Sequence, residues 1–594
     1  MAGVAGVASR IPTWLVLAAT ATTAAPAVAQ VSPAGERRAV DRAERLRQAG
    51  QLDEARTVLD DLLSRSPGSI PGLEAYAALV REAGDPGALL SYLRAATTAS
   101  FDPVILDLLV ESWIAVGSVD SALAVATGWA RRATDDERAI LALSSAQAAG
   151  GDLARAVRTL EEAAPVLGAR PAVLARRADL VIRLGAPERA VDAWLGLLDA
   201  EEPRIDLVHE DLLGIGSAGA GPLARLVDAL EAAAGPGATA GAYLALRLSE
   251  AEHARRLAAV VGPDARADFL REYTREADEA ELPAEVAWAA GELVALSPRP
   301  VDRLRWRALS ADRALAAGDT SSAREAFRQL AIETEPGDGP HGAATRRLFS
   351  LLAAEPGRLA EAETLLGRFG TEYPDSASAR AHMYGELALG RARAGDLPGA
   401  EVSIARGRRV TPAAAHASMD AAAALLAFYR GDRDSTLARV GRSLADAAVA
   451  PAEQTSRLRL LTVAQAADSV EIAAGGAMAL GLLVDPASYD PGGALRSLAG
   501  SVATPGRPVL LAYLATVAQA AGRPDISTGL RHTVVRSFAA SAEAPAVLLD
   551  LAREAPPDEA RQWLEQLIVG YPESALAPTA RRLLRELEGG DEGE

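Results

Sequence analysis

The residue types that carry chemistry are sparse in this chain, and their spacing argues against most reactions. Gly214-Ile215-Gly216-Ser217-Ala218-Gly219 has the glycine spacing that cradles a pyrophosphate. Such a loop works only between a strand and the helix it opens, and residues 207–212 before it read as helix. The six histidines are His209, His253, His341, His382, His416 and His532, with no two at metal-ligand spacing. Cysteine, lysine and asparagine do not occur. This removes disulfides, thiolate nucleophiles, a phosphate-loop lysine, a lipid-modified cysteine and an N-glycosylation acceptor. Carboxylate pairs such as Asp60-Asp61, Asp135-Asp136 and Glu161-Glu162 have no nucleophile nearby, and no G-x-S-x-G turn stands out. We therefore expect no catalytic residue, no cofactor and no metal.

The elements that would position any site announce themselves by a period. Gly50, Gly84, Gly117, Gly151, Gly185 and Gly219 are spaced by 34, 33, 34, 34 and 34 residues. Ala55, Ala122, Ala156, Ala190 and Ala224 follow five positions later, and at Gly84 the alanine comes one position early as Ala88. A glycine takes the left-handed turn between two helices without a Cβ penalty. The alanine lets those helices cross closely, and apolar residues at i, i+4 and i+7, such as Ala55, Leu59 and Leu62, give the second helix one buried stripe. The register loosens at Ser249–Ala254 and Glu279–Ala284. It returns at Gly318–Ala323, Gly357–Ala362 and Gly395–Ala400, weakens around Gly431, Asp468 and Gly522, and closes with Ala555–Ala560.

This pattern resembles the tetratricopeptide repeat (TPR) family. The resemblance covers most of the chain, in about thirteen to fifteen units. It implies an all-α fold, an α-solenoid in which antiparallel helix pairs wind as a right-handed superhelix. Tyr373-Pro374-Asp375-Ser376 and Tyr571-Pro572-Glu573-Ser574 recur at second-helix ends. They are similar to repeats of bacterial envelope proteins, including the cell-division coordinator and the outer-membrane assembly lipoprotein, which implies an exported bacterial type.

Composition and charge narrow the partners. Of the 594 residues 49% are hydrophobic and only 4% aromatic, suiting closely spaced helices rich in alanine. The formal net charge of −18 disfavours general nucleic-acid binding. Arg10, an apolar run from Trp14, and Ala27-Val28-Ala29 before Gln30 read as a secretory signal peptide, with cleavage between Ala29 and Gln30. We expect a periplasmic or secreted protein with no stable membrane insertion after cleavage. The expected organisation is a signal peptide over 1–29, an N-terminal TPR array over 30–235 and degenerate helical repeats over 236–300. A second array covers 301–440, degenerate TPR-like repeats with a capping helix cover 441–587, and a disordered acidic tail covers 588–594.

Placed on the family's register, Asp107, Glu111, Asp179, Arg183, Arg305, Asp312, His382 and Arg393 face the concave groove. Their mixed signs imply several peptide-like contacts and no single anion pocket. The family's lysine-and-asparagine grip on a C-terminal carboxylate is not carried over, because both residue types are missing. The expectation is a non-catalytic scaffold binding a protein or peptide. The alternative is an enzyme, or a structural subunit of one, acting on cell-wall or polysaccharide substrates, recognisable by a deep pocket of convergent polar groups off the repeat register. Self-association is a third reading.

Overall fold

A computed structural model describes residues 32–444, 451–500 and 504–590. The expected signal segment, with the expected cleavage residues Ala29 and Gln30, and residues 591–594 of the acidic tail lie outside the described residues. The described part is an all-α solenoid of antiparallel helix hairpins, without a strand among the described residues. It divides into two units, residues 1–269 and 270–594.

Each hairpin is built by the turn that the period announces. Gly50, Gly117, Gly151, Gly185, Gly318, Gly395, Gly431 and Gly522 all have φ between 71° and 82°. At Gly50 the following Gln51 N–H donates to Leu46 C=O, five residues back, at 2.9 Å, while Gly50 N–H donates to Arg47 C=O at 2.9 Å. The same paired closure recurs after the other turn glycines, so two otherwise unpaired carbonyls of the first helix are satisfied. An added Cβ at Gly50 would meet nothing within 4 Å, so the glycine is required by its φ and not by space. Asp152, Asp319, Asp396 and Asp432 stand one residue after the turn glycine. Each accepts the backbone N–H three residues on, at 2.8–3.0 Å, and so starts the second helix.

In the first unit, Pro33–Gln48 pairs with Leu52–Arg65, and Pro103–Ala115 with Val119–Arg132. Farther along, Glu137–Ala149 pairs with Leu153–Leu167. Ala55, Ala122, Ala156 and Ala190 are wholly buried at their crossings. At Gly84 the crossing residue is Leu89, fully buried, and not Ala88. The short 3-10 turn Pro86–Leu89 shifts the entry of the second helix and makes room for the larger side chain. Gly219 is not the turn glycine of its unit: its φ is −75°, and Gly216 holds the positive φ of 61°. The glycine run begins in the last two residues of helix Ile205–Ile215 and ends where helix Ala220–Ala233 starts, so it follows a helix and not a strand, the wrong context for a dinucleotide loop.

The loosened register keeps the same physics with other residues. Ser249 takes φ 61° and Glu281 takes φ 56°, each closing its turn as the glycines do. The second of these turns therefore falls at Glu281, with Val286 buried five residues on, and the Glu279–Ala284 alignment misses it by two.

In the second unit, Pro300–Ala316 pairs with Thr320–Glu333, and Ala377–Arg393 with Leu397–Val410. Ala417–Tyr429 pairs with Arg433–Ser443, and Arg507–Ala520 with Pro524–Ser537. Tyr373 and Tyr571 cap their helices and reach back to the preceding hairpin. Gly337 N–H donates to the Tyr373 hydroxyl at 3.4 Å, and the Tyr571 hydroxyl donates to Ala539 C=O at 2.5 Å.

One stretch departs from the alternation. A plain repeat would make Pro451–Ala466 a first helix and Ser469–Val484 its second. Instead Ser469–Val484 packs against the first helices Ala377–Arg393, Ala417–Tyr429 and Arg507–Ala520, while Pro451–Ala466 packs on Arg433–Ser443 and Arg507–Ala520. The cause lies in composition: Ser469–Val484 is apolar nearly all round and rich in glycine and alanine, so first helices pack on several of its faces and leave exposed the stripe of Val470, Ala473, Ala477 and Val484. A Cβ at Gly476 would come within 1.8 Å of Phe428 O, so two helix backbones meet there. Its entry is fixed by a capping box in which Asp468 accepts from Glu471 N–H at 2.8 Å and Glu471 accepts from Asp468 N–H at 3.3 Å. The buried Glu471 carboxylate also takes Arg507 Nε at 2.9 Å.

Candidate functional site

The exchanged helix pair opens a concavity in the second unit. A chamber of about 550 Å³ lies between Ala377–Arg393, Ala417–Tyr429, Pro451–Ala466 and Arg507–Ala520. A second concavity of about 330 Å³ shares Arg459, Tyr513 and Thr516 with it and runs on to Ala544–Glu554. Together they form one trough.

Its walls follow helix periodicity. His382, Glu386, Leu389 and Arg393 form one stripe, spaced by four, three and four residues. Ala421, Ala422, Leu425 and Tyr429 line the neighbouring helix, Leu460 comes from Pro451–Ala466, and Val517 and Ala520 come from Arg507–Ala520. The lining is thus mainly apolar, in the size range of small-molecule and side-chain pockets. The Tyr513 ring meets Phe428 edge-on, with centroids 5.7 Å apart and planes at 84°, joining two wall helices.

The polar groups are unevenly matched. Glu386 faces His382 Nε2 at 3.5 Å and accepts from the Ser350 hydroxyl at 2.9 Å. The hydrogen bond to Glu386 lifts the His382 pKa above its ordinary value, and burial opposes that rise. Arg457, only 6% exposed, donates to Glu453 at 2.6 Å and to Ser443 C=O at 2.6 Å. Its buried Nε–H finds no acceptor among the described residues. Arg393 and Arg459 make no ion pair or hydrogen bond among the described residues. Burial pushes the Tyr429 phenol above its usual pKa, with Arg393 nearby opposing the rise, and burial together with Tyr429 raises that of Tyr513. Both phenols therefore stay protonated, as hydrogen-bond donors. At the far end of the trough, Glu543 and Asp550 make no ion pair among the described residues.

Of the eight residues placed on the groove by register, the trough brings together His382 and Arg393. Asp107 and Glu111 lie on Pro103–Ala115 of the first unit, where burial and then the Glu111 charge push the Asp107 pKa up to about 6. Asp179 is held by Arg176 at 2.7 Å and faces Arg183 at 3.6 Å. Arg305 sets its guanidinium 5.6 Å from the Trp306 ring centre, and Asp312 faces Arg347 at 3.9 Å. Register alone did not reach Arg457, Arg459, Tyr429 or Tyr513. Glu386, four residues after His382 on one helix face, was the one local signal available.

No group of three or more metal-ligating side chains occurs among the described residues, and no described helix is long and apolar enough to cross a membrane. No family model matches the chain, and no curated protein matches it. Among solved structures it is similar to Naa15/Naa10 bound to HypK-THB, at 13% identity and a TM-score of 0.26 over 93% of this chain and 92% of that one. It is also similar to the APC/C hetero-tetramer Cut9–Hcn1, at 12% identity and a TM-score of 0.22 over 87% of this chain and 96% of that one. Likenesses this slight say nothing of partners, and the TPR-like reading of the hairpins rests on the turns and crossings described above.

Proposed function

We propose that the chain is an exported, non-catalytic scaffold that holds a segment of a partner protein in the trough of its second unit. The observation that carries this reading is the junction of the two concavities. Leu458, 48% exposed beside Thr455, Thr462 and Val509, offers an apolar contact at the shallower one. Glu543 and Asp550 line it too and make no ion pair among the described residues. A segment with apolar side chains and a basic end matches that arrangement and the overall charge of −18. Export is supported by the composition of residues 1–30 alone.

The test is a photo-reactive amino acid at Leu458, with an equivalent probe at the exposed Val301 as control, in producing cells. One protein should be captured from position 458 and not from 301, and its purified form should bind the purified chain but not a Glu543→Arg, Asp550→Arg variant. Capture of the same proteins at both positions, or binding indifferent to the two reversals, contradicts the reading. Mass spectrometry of the mature chain should find Gln30 at its N-terminus, outside the cytoplasm.

One observation favours the enzyme alternative: the chamber lies where the alternation of first and second helices breaks, and it holds His382, Glu386 and Glu453. Its acids are engaged by His382, Ser350 and Arg457, an arrangement that supports holding over reacting. Release of soluble fragments from cell-wall glycan by the purified chain, lost in Glu386→Gln, would favour the alternative.

A further inference from the structure

The larger chamber has a charge of its own kind. Glu386 and Glu453 are already engaged, whereas among the described residues Arg393 and Arg459 pair with no acid and Arg457 keeps a buried Nε–H without an acceptor. In a chain of net charge −18 this is a local excess of cations. Both arginines line this chamber. Arg393 acts electrostatically on Tyr429, Tyr429 on Tyr513, and Tyr513 lines both concavities with Arg459. Two phenols, Tyr429 and Tyr513, line the chamber with the two arginines.

The remainder of the wall is apolar. Leu389, Leu425, Leu460 and the small Ala421 and Ala422 line it as well. The stripe from His382 to Arg393 spans eleven residue steps of helix, about 16 Å at 1.5 Å per residue. The space is therefore longer than an anion needs, and its lining holds donors as well as apolar side chains.

We propose that this chamber binds a small amphiphilic anion, a single apolar chain with one acid head, the head held by Arg393 and Arg459 and the chain laid along Leu389, Leu425 and Leu460. The head is a carboxylate or a phosphate; both offer the acceptors that a guanidinium fork engages. This site is distinct in chemistry from the partner surface around Leu458, Glu543 and Asp550, and its occupancy is read on the purified chain without any partner, so the two proposals fail separately.

Calorimetric titration of the full mature chain with decanoate, decyl phosphate, decanol and decyltrimethylammonium, each below its aggregation limit, tests the proposal. At least one anion should bind saturably with one site per chain. Comparing decanoate with decyl phosphate identifies the head. Decanol should bind about tenfold more weakly or worse, and the cation should not bind. Raising the salt from 50 to 500 mM should weaken the anion on the unaltered chain and leave decanol unchanged, which needs no variant to fold. Arg393→Gln with Arg459→Gln should cost the anion about tenfold, Arg305→Gln should cost nothing, and Leu425→Trp, filling the chamber, should abolish binding of both anion and alcohol. Equal affinity for decanoate, decyl phosphate and decanol, an unaffected double variant, or no saturable anion binding overturns the proposal.

Discussion

Asp107 shows how far a single side chain departs from what its position in the repeat suggests. On the register it is one more groove carboxylate; in the fold it is half-buried, four residues before Glu111 on the same helix face. Burial and the neighbouring charge raise its pKa from 3.8 to about 6, against the pull of Arg138. The folded chain therefore keeps this proton over a pH interval in which the unfolded chain has lost it. Stability from this group falls as pH rises from about 4 to about 6 and stays lower above that. Asp107→Asn should remove that slope, so the variant gains on the parent between pH 4.5 and pH 7 in urea unfolding followed by circular dichroism. A constant difference across the interval contradicts the assignment. His382 and Arg393 were legible because they share a helix whose face is set by one local period. Arg457, Arg459 and Tyr513 were not, because they arrive from helices 60 or more residues farther on.

The element that brings them in is Ser469–Val484, and its sequence explains why a periodic reading misplaces it. Hydrophobic periodicity identifies a face only when another face is polar. A helix apolar on its exposed stripe as well as on its buried faces gives no phase, and the plain alternation of a repeat would make it the second member of its pair. The hairpin turns were legible for the opposite reason: a positive φ demands a residue type, and Gly-Asp supplies both the turn and the cap. Where Ser249 and Glu281 take that φ, the type signal fails although the turn persists. The exchange of helices depends on close backbone approach, and Gly476→Ala tests it. Its Cβ would press on Phe428 O at 1.8 Å, where backbone and not a flexible side chain must yield. We expect a loss of about 1–3 kcal/mol, read by denaturant unfolding. Gly441→Ala, in a second helix with nothing within 4 Å of its Cβ, should be neutral or slightly stabilising. Equal effects at the two glycines would mean that the close approach is not what holds Ser469–Val484.

At the scale of the molecule, the period predicts how stability is distributed as well as how the chain folds. A globular core spreads a local defect through all its contacts. In a stack of hairpins each pair touches its neighbours, so a defect is felt over a short range and then fades. The first unit allows a clean trial, because Gly151 holds φ 82° with nothing within 4 Å of its Cβ position. Gly151→Val removes no packing; it forces a β-branched residue into the left-handed region, at a cost of about 1–3 kcal/mol. Hydrogen exchange should then quicken in Glu137–Ala149 and Leu153–Leu167, and less in the adjoining Val119–Arg132 and Pro171–Arg183. Pro33–Gln48 and Leu52–Arg65, with hairpins intervening, should exchange as in the parent. Uniform quickening from Pro33 to Arg183 would mean that the unit unfolds as one cooperative body, and that its repeats, although built alike, do not carry their stability pair by pair.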